Sequence, residues 1–205
     1  NFWSFKAFIE EKLENFNNAY EAFLKSQLNS KYEKCNKALF RNYILDYEKN
    51  LDNENFYFKK DSYFKKKNNV CFLIGFPRSG TTLLDTILRS HPEIDVIEEK
   101  PIINSLERII KTQLKCKLSE IYNLTEPEVE NLREYYLENI LKLSDKKNSR
   151  IIIDKFPFQT VSLPLINFIF PEAKIIFAHR HPYDTVLSCF QQCFEPNNAM
   201  ANLRS

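Results

Sequence analysis

One stretch of the chain decides the fold: Val70-Cys71-Phe72-Leu73-Ile74-Gly75-Phe76-Pro77-Arg78-Ser79-Gly80-Thr81-Thr82-Leu83-Leu84. Its first five residues are apolar and predict a buried strand, and its last four predict the first turn of a helix. Gly75 and Gly80 are the only two glycines among 205 residues, and both fall in this segment. Glycine serves where the backbone bends sharply or approaches a ligand closely. A turn that opens a helix also directs unpaired N–H groups towards one point, so the segment predicts a site for a phosphate or sulfate.

The turn is close to a Walker A loop but differs from it at one position. A Walker A loop has the pattern Gly-x-x-x-x-Gly-Lys-[Ser/Thr], and here Thr81 occupies the position of the Lys. The cation stands earlier, at Arg78, and an Arg side chain can donate two hydrogen bonds to one oxyanion. The turn therefore predicts an anion site unlike that of an ATPase. A simple strand-to-helix turn capped by Ser79 is the lesser alternative.

After residue 70 the pattern alternates between apolar strands and helices. The predicted strands are 70–75, 94–97, 150–154 and 174–178, and the predicted helices are 80–90, 101–115, 126–143, 160–169 and 183–194. This alternation predicts an α/β fold with a parallel sheet covered by helices on both faces. Thr125 and Glu128 predict a capping box at the start of one helix.

The region before residue 70 has a different pattern. Residues 1–50 have helical periodicity and no strand signal, and residues 51–69 form a polar linker by composition. The sequence therefore predicts a helical segment at 1–50, a linker at 51–69 and an α/β domain at 70–205.

Polar side chains follow the predicted strands at their carboxyl ends, where parallel sheets bind ligands. Lys155 follows the third strand and is a second candidate cation near the turn. Asp154 resembles the magnesium-binding Asp of a Walker B strand, but without the loop Lys we interpret it as structural. Glu98 and Glu99 follow the second strand. Adjacent carboxylates are most often solvated, but beside Arg and Lys one of them could act as a general base.

A second anion site is predicted after the fourth strand. Arg180 ends that strand, and Ser188 lies eight residues later, inside the next helix. Because eight residues are a little over two helical turns, Ser188 falls on nearly the same face as a residue just before the helix. We therefore expect both side chains to face one anion.

The composition limits the class of protein. The chain is 43% hydrophobic, which is enough for a core, and its net charge of +2 is too small to indicate a nucleic-acid partner. Its five cysteines are an odd number without metal-like spacing, which favours a reduced, cytoplasmic compartment. Neither a membrane span nor a signal peptide is present in the sequence pattern.

Taken together, the motifs resemble those of sulfotransferases that use 3′-phosphoadenosine 5′-phosphosulfate (PAPS). The segment 76–84 resembles the family's 5′-phosphosulfate loop. The segment 176–188 resembles its 3′-phosphate motif, whose Arg and Ser fall on Arg180 and Ser188. The segments 90–94 and 98–101 resemble the part of tyrosylprotein sulfotransferases that carries the catalytic Glu, which falls on Glu99. The segment 154–157 resembles the part with an active-site Lys, which falls on Lys155.

The resemblance implies a P-loop-like three-layer fold and a PAPS-dependent reaction without a metal. It implies a catalytic role for Glu99 as the base, with Arg78 and Lys155 stabilising charge. It implies that PAPS is bound by a larger set of residues, namely Arg78, Ser79, Gly80, Thr81, Thr82, Arg180 and Ser188. The segment 14–25 resembles a tetratricopeptide-repeat helix, as in the bacterial sulfotransferases that carry such repeats, which implies a peptide or protein acceptor. A tyrosine hydroxyl is one candidate, and carbohydrate and small-molecule hydroxyls stay open.

The sequence departs from the family pattern in three places. His181 stands where Asp or Asn is common, and Tyr183 where Arg or Lys is common. No later segment matches the one that closes over the cofactor, so we expect a C-terminally truncated domain. Two other functions stay open: a P-loop kinase or NTPase, and a catalytically inactive helical-repeat adaptor.

Overall fold

The computed structural model describes residues 2–28, 37–52, 54, 69–146 and 149–192. The chain divides into two compact units. The larger is Tyr43–His179, and the smaller combines Asn1–Asn42 with Arg180–Ser205. Most of the predicted linker lies outside the described residues, and the predicted domain boundaries stay predictions.

Among its described residues, the larger unit is built on a sheet of four parallel strands. These are β1 (Val70–Gly75), β2 (Ile94–Glu98), β3 (Ile151–Lys155) and β4 (Lys174–Ala178). Their order in the sheet is β2-β3-β1-β4, and every neighbouring pair is parallel. Because β1 lies inside the sheet and is buried along its whole length, its continuous apolar run satisfies both faces. The predicted parallel sheet is confirmed.

Helices cover the sheet on both faces. They are α4 (Thr81–Arg89), α5 (Ile102–Thr112), α6 (Glu126–Leu143) and α7 (Leu163–Ile169). On one face, Leu73, Val96 and Ile153 pack against apolar residues of α4. On the other face, Phe72 and Ile152 join a larger core that includes residues of α5, α6 and α7. The three-layer, P-loop-like α/β fold is therefore confirmed.

Helix boundaries in this unit follow from local chemistry. Thr125 donates its backbone N–H and its hydroxyl to Glu128 Oε2 at 2.8 and 2.7 Å, which confirms the capping box at the start of α6. The predicted helix 160–169 begins later than expected, because Pro164 is tolerated only in a first turn. The segment before it forms a short 3₁₀ helix, Pro157–Thr160.

The smaller unit contains α1 (Phe2–Lys12), α2 (Phe16–Leu28) and α8 (Pro182–Gln191). Its core is built mainly from small residues with one aromatic ring: Ala7, Ala19, Ala22 and Phe23. The Gln27 side-chain amide donates to the backbone carbonyls of Phe190 and Gln192, both at 2.8 Å, which fastens α8 within this unit. A further helix, α3 (Lys37–Leu51), continues into the larger unit. The helical N-terminal segment is confirmed, whereas the tetratricopeptide repeat stays a prediction.

Within the described ranges, no helix is both long and apolar enough to cross a membrane.

Candidate active site

The turn after β1 has the backbone of a ligand-binding loop. Gly80 is the N-cap of α4 with φ 97°, and Arg78 has φ 70°. A left-handed conformation is routine for glycine but uncommon for other residues. Strained residues of this kind cluster at functional sites. The first N–H groups of α4 have no acceptor within the helix, so the loop directs donors and the positive helix end towards one point.

Gly75 is required where β1 enters this loop. A Cβ at Gly75 would lie 2.7 Å from the Ala178 carbonyl oxygen and 2.8 Å from Ser79 Oγ, which leaves no room for a side chain. The Gly75 N–H donates to Thr160 Oγ1 at 3.0 Å, and the Thr160 hydroxyl donates to the Gly75 carbonyl at 2.6 Å. Thr160 therefore fixes the base of the loop. No sequence motif marks this residue.

Ser79 carries a buried hydroxyl that no described residue satisfies. Ser79 is 9% exposed, and its Oγ has no hydrogen-bond partner among the described residues. The N-cap of α4 is Gly80 and has no side-chain cap hydrogen bond, so the alternative in which Ser79 merely caps the helix is wrong. A buried hydroxyl without a hydrogen-bond partner is unfavourable. An oxyanion bound at this loop would give the Ser79 hydroxyl such a partner.

A lysine shared by two carboxylates lies at the carboxyl ends of β2 and β3. Lys155 Nζ donates to Glu98 Oε1 at 2.7 Å and to Glu99 Oε1 at 3.1 Å. The Lys155 side chain is fully buried, whereas those of Glu98 and Glu99 are 52% and 51% exposed. Burial lowers the pKa of Lys155, but hydrogen bonds to the two carboxylates outweigh burial, and the net pKa is raised. The cluster therefore holds a protonated lysine beneath two carboxylates that reach solvent.

Strand register creates this cluster. Glu98 and Lys155 are direct partners in the parallel ladder between β2 and β3. The ladder continues through a hydrogen bond from the Glu99 N–H to the Lys155 carbonyl at 2.8 Å. Glu99 then leaves the strand with φ 49°. Arg78 and Glu99, both predicted as catalytic, are thus non-glycine residues in the left-handed region.

Asp154 lies beside Lys155 in the chain but on the other face of β3. It is fully buried and accepts a hydrogen bond from the Tyr136 hydroxyl at 2.8 Å. Burial raises its pKa to about 7, against the hydrogen bond from Tyr136 that lowers it. This position within the core supports the structural interpretation of Asp154. The described residues include no group of three or more His, Cys, Asp or Glu side chains that could hold a metal ion.

The predicted 3′-phosphate residues belong to the smaller unit. Arg180 precedes α8, and its Nε lies 3.8 Å from Asp184 Oδ2 in a half-exposed ion pair. Ser188 is half-buried within α8. The other predicted site residues all belong to the larger unit, namely Arg78, Ser79, Gly80, Thr81, Thr82, Glu99 and Lys155. Convergence of Arg180 and Ser188 on one anion, and their cooperation with the loop, stay predictions.

The parallel sheet and the glycine-containing loop after β1 define a P-loop-like α/β protein. A family model described as "Sulfotransferase family" matches residues 71–204, and the chain belongs to this family. The resemblance noted from the motifs is confirmed.

Three relatives are similar to part of this chain. An uncharacterized protein of Aquifex aeolicus is 34% identical over 130 residues, which cover 60% of this chain and 17% of that protein. Nodulation protein NoeE of Sinorhizobium fredii is 31% identical, covering 56% of this chain and 29% of that protein. Protein-tyrosine sulfotransferase 1 of Danio rerio is 30% identical, covering 57% of this chain and 34% of that protein. The chain thus spans about a third or less of the length of these relatives.

Proposed function

We propose that this protein transfers a sulfuryl group from PAPS to an acceptor hydroxyl. The observation that carries the proposal is the shared lysine. Buried Lys155 contacts two half-exposed carboxylates at the carboxyl ends of the strands, which is also where the loop after β1 begins. Such a cluster supplies a fixed cation and a solvent-facing base in one place. Membership of the sulfotransferase family supports this chemistry.

The loop residues fit the phosphosulfate end of the donor. The N–H groups of Gly80 to Thr82 would bind its oxygens. The Ser79 N–H already donates to the Phe76 carbonyl at 3.0 Å, but the Ser79 hydroxyl would gain the partner that it lacks among the described residues. The guanidinium group of Arg78, which lies in this loop, would contact the sulfuryl oxygens. Arg180 and Ser188 would bind the 3′-phosphate, the group that distinguishes PAPS from ATP.

Glu99 is the proposed general base. Its half-exposed carboxylate can accept the proton of the acceptor hydroxyl. When bound, PAPS supplies the sulfuryl group, whose S–O bond to the 5′-phosphate breaks as the bond to the acceptor oxygen forms. Arg78 and Lys155 stabilise the negative charge that develops on the leaving and sulfuryl oxygens. In this proposal the two side-chain cations supply the positive charge that magnesium supplies in kinases.

The proposed acceptor is a tyrosine hydroxyl of a peptide or protein. Several relatives are named as protein-tyrosine sulfotransferases, in Danio rerio and in Homo sapiens. The helical N-terminal segment, proposed as the end of a tetratricopeptide array, would contribute to peptide binding. A cytoplasmic location is part of the same proposal.

Two measurements on the full chain test the proposal. Transfer of radiolabelled sulfate from PAPS to a tyrosine peptide should be observed, and a chain that binds the peptide without transfer would be an adaptor instead. Calorimetry should show tighter binding of adenosine 3′,5′-bisphosphate than of adenosine 5′-monophosphate. Preferential binding of ATP with magnesium would instead support a kinase or NTPase.

A matched pair of arginine variants tests the 3′-site. Arg180→Ala should weaken binding of adenosine 3′,5′-bisphosphate by about tenfold or more, because it removes a charge-assisted contact. Binding of adenosine 5′-monophosphate should change little. Arg150→Ala is the control, because Arg150 is exposed and pairs with Glu93, at 3.0 Å, just before β3 begins. Equal affinities of the Arg180 variant and the control for the bisphosphate would contradict the assignment.

A further inference from the structure

The two carboxylates of the cluster are not equivalent. Glu98 is the last residue of β2, lies directly opposite Lys155 in the ladder and makes the shorter contact, 2.7 Å against 3.1 Å. Glu99 lies beyond the strand with a left-handed backbone. One carboxylate is therefore part of the regular sheet, and the other is at the start of the following loop.

The proposed reaction also treats the two carboxylates differently. As the base, Glu99 takes up the acceptor proton and becomes neutral during each turnover. The Lys155 side chain is fully buried in the structure, and a buried cation without a counterion is strongly unfavourable. Glu98 is the other anion that contacts Lys155 among the described residues, so it is the group able to keep the lysine charged.

We propose that Glu98 is a positioning residue: it is the permanent counterion of Lys155, while Glu99 exchanges a proton in each catalytic cycle. This role rests on the proposed function. An ammonium group has three N–H donors, and within the described part of the chain Lys155 gives two of them to Glu98 and Glu99.

The surroundings of the cluster support this division of roles. The hydrogen bond from Lys155 lowers the pKa of Glu98, and Arg89 and Lys100 act in the same direction, so Glu98 stays ionised. Arg89 is itself paired with Asp85 within α4, at 3.0 and 3.1 Å. The β1 partner of Lys155 is apolar, and the 3₁₀ helix that follows β3 has no titratable residue. Glu98 and Glu99 are therefore the two groups that raise the pKa of Lys155.

The test is the pH profile of sulfate transfer by Glu98→Gln. The amide retains an oxygen that accepts from Lys155 but removes the negative charge. The alkaline limb of kcat should move to lower pH by about one unit or more, and activity should recover towards the wild-type value as the pH falls. KM for PAPS should change less than kcat. A merely structural contact would instead lower the rate by the same factor at every pH.

Two further variants make this result specific. Glu98→Asp retains the charge and should restore much of the alkaline limb. Glu120→Gln is the matched control, because Glu120 forms an exposed pair with Lys117 at 3.1 Å, and its profile should coincide with that of the wild type. If Glu98→Gln has the wild-type alkaline limb, the counterion role is wrong.

A measurement without turnover separates this inference from the proposed function. NMR titration of ¹³Cε-labelled lysine, with Lys155 assigned from its loss in Lys155→Met, should show Lys155 deprotonating at lower pH in Glu98→Gln. An unchanged titration in an enzyme that transfers sulfate overturns the counterion role alone. Absence of transfer in the wild type overturns the proposed function, and with it the catalytic purpose of Glu98.

Discussion

Two clusters of polar side chains in the larger unit each contain a buried ionisable residue, but they differ in how exposed the partners of that residue are. In the closed cluster, Glu107 Oε1 accepts hydrogen bonds from Tyr43, Tyr47 and Ser162, at 2.5, 2.7 and 2.8 Å. Glu107 is only 7% exposed. In the open cluster, Lys155 is fully buried, but its partners Glu98 and Glu99 are half-exposed. Burial of a charged group is therefore common to both clusters and does not mark function.

The two clusters differ in how much hydrogen-bonding capacity their side chains leave unused and in the conformation of their backbone. The closed cluster joins α3, α5 and the residue before α7. Burial raises the pKa of Tyr43 and Tyr47, and the charge of Glu107 raises it further, so both tyrosines stay protonated and donate hydrogen bonds. The open cluster leaves carboxylate oxygens facing solvent and places Glu99 at φ 49°. We infer that the closed cluster stabilises the fold, whereas the open cluster is arranged to react.

The largest expected effect is on the rate of the Glu99→Gln variant. Removing the proposed base should lower kcat for sulfate transfer by about 100-fold to 10,000-fold, while the free energy of unfolding should change little because Glu98 still pairs with Lys155. Steady-state kinetics and urea denaturation measure the two quantities. Glu120→Gln serves as the control for both. Full turnover by Glu99→Gln would mean that another group is the base.

The next effect concerns stability alone. Glu107→Ala leaves the hydroxyls of Tyr43, Tyr47 and Ser162 without their shared acceptor, so the free energy of unfolding should fall by about 3 kcal/mol or more. The fraction of the variant that remains folded should still bind PAPS. Glu138→Ala is the control, because Glu138 is 69% exposed and pairs weakly with Lys142 at 3.7 Å; it should change stability by less than about 1 kcal/mol. Equal losses in both variants would remove the distinction between the clusters.

Much of the open cluster could be predicted from the sequence, and almost none of the closed one. The loop after β1 was predictable because its two glycines and its apolar run are local signals. Lys155, Glu98 and Glu99 were predictable as polar residues at the carboxyl ends of strands, and the family resemblance selected Glu99 as the base. Glu107 gives no such signal, because its partners Tyr43 and Ser162 lie far away in the chain. Only tertiary packing brings the three together.

Register explains the rest of what the sequence could not provide. Whether Glu98 or Glu99 lies directly opposite Lys155 depends on a one-residue shift between β2 and β3, since neighbouring residues of a strand face opposite sides. The same alternation places Asp154 in the core and Lys155 in the site. The contact between the 3₁₀ helix and Gly75 likewise depends on how that helix packs against β1.

A smaller effect tests the buried side of β3. Because the pKa of Asp154 is raised from 3.8 to about 7 in the folded protein, the folded state binds a proton more tightly than the unfolded state. Between about pH 4 and pH 7 the free energy of unfolding should therefore fall as the pH rises. Asp154→Asn should abolish this fall and be more stable than the wild type at pH 8, by about 2 kcal/mol. Denaturation at pH 5 and pH 8 measures it, and an unchanged pH dependence in the variant would contradict the raised pKa.

The smallest effect tests the strain at Glu99. Glu99→Ala and Glu99→Gly both remove the carboxylate, but alanine retains the Cβ that disfavours a left-handed backbone, at about 1 kcal/mol. The glycine variant should therefore be the more stable of the two, by up to about 1 kcal/mol, although both lose activity. At Glu98, which has strand geometry, the order should reverse, because glycine weakens a strand. Urea denaturation of the four variants measures both differences. If glycine were the less stable substitution at both positions, the left-handed backbone of Glu99 would store no strain, and the open cluster would differ from the closed one only in its exposure.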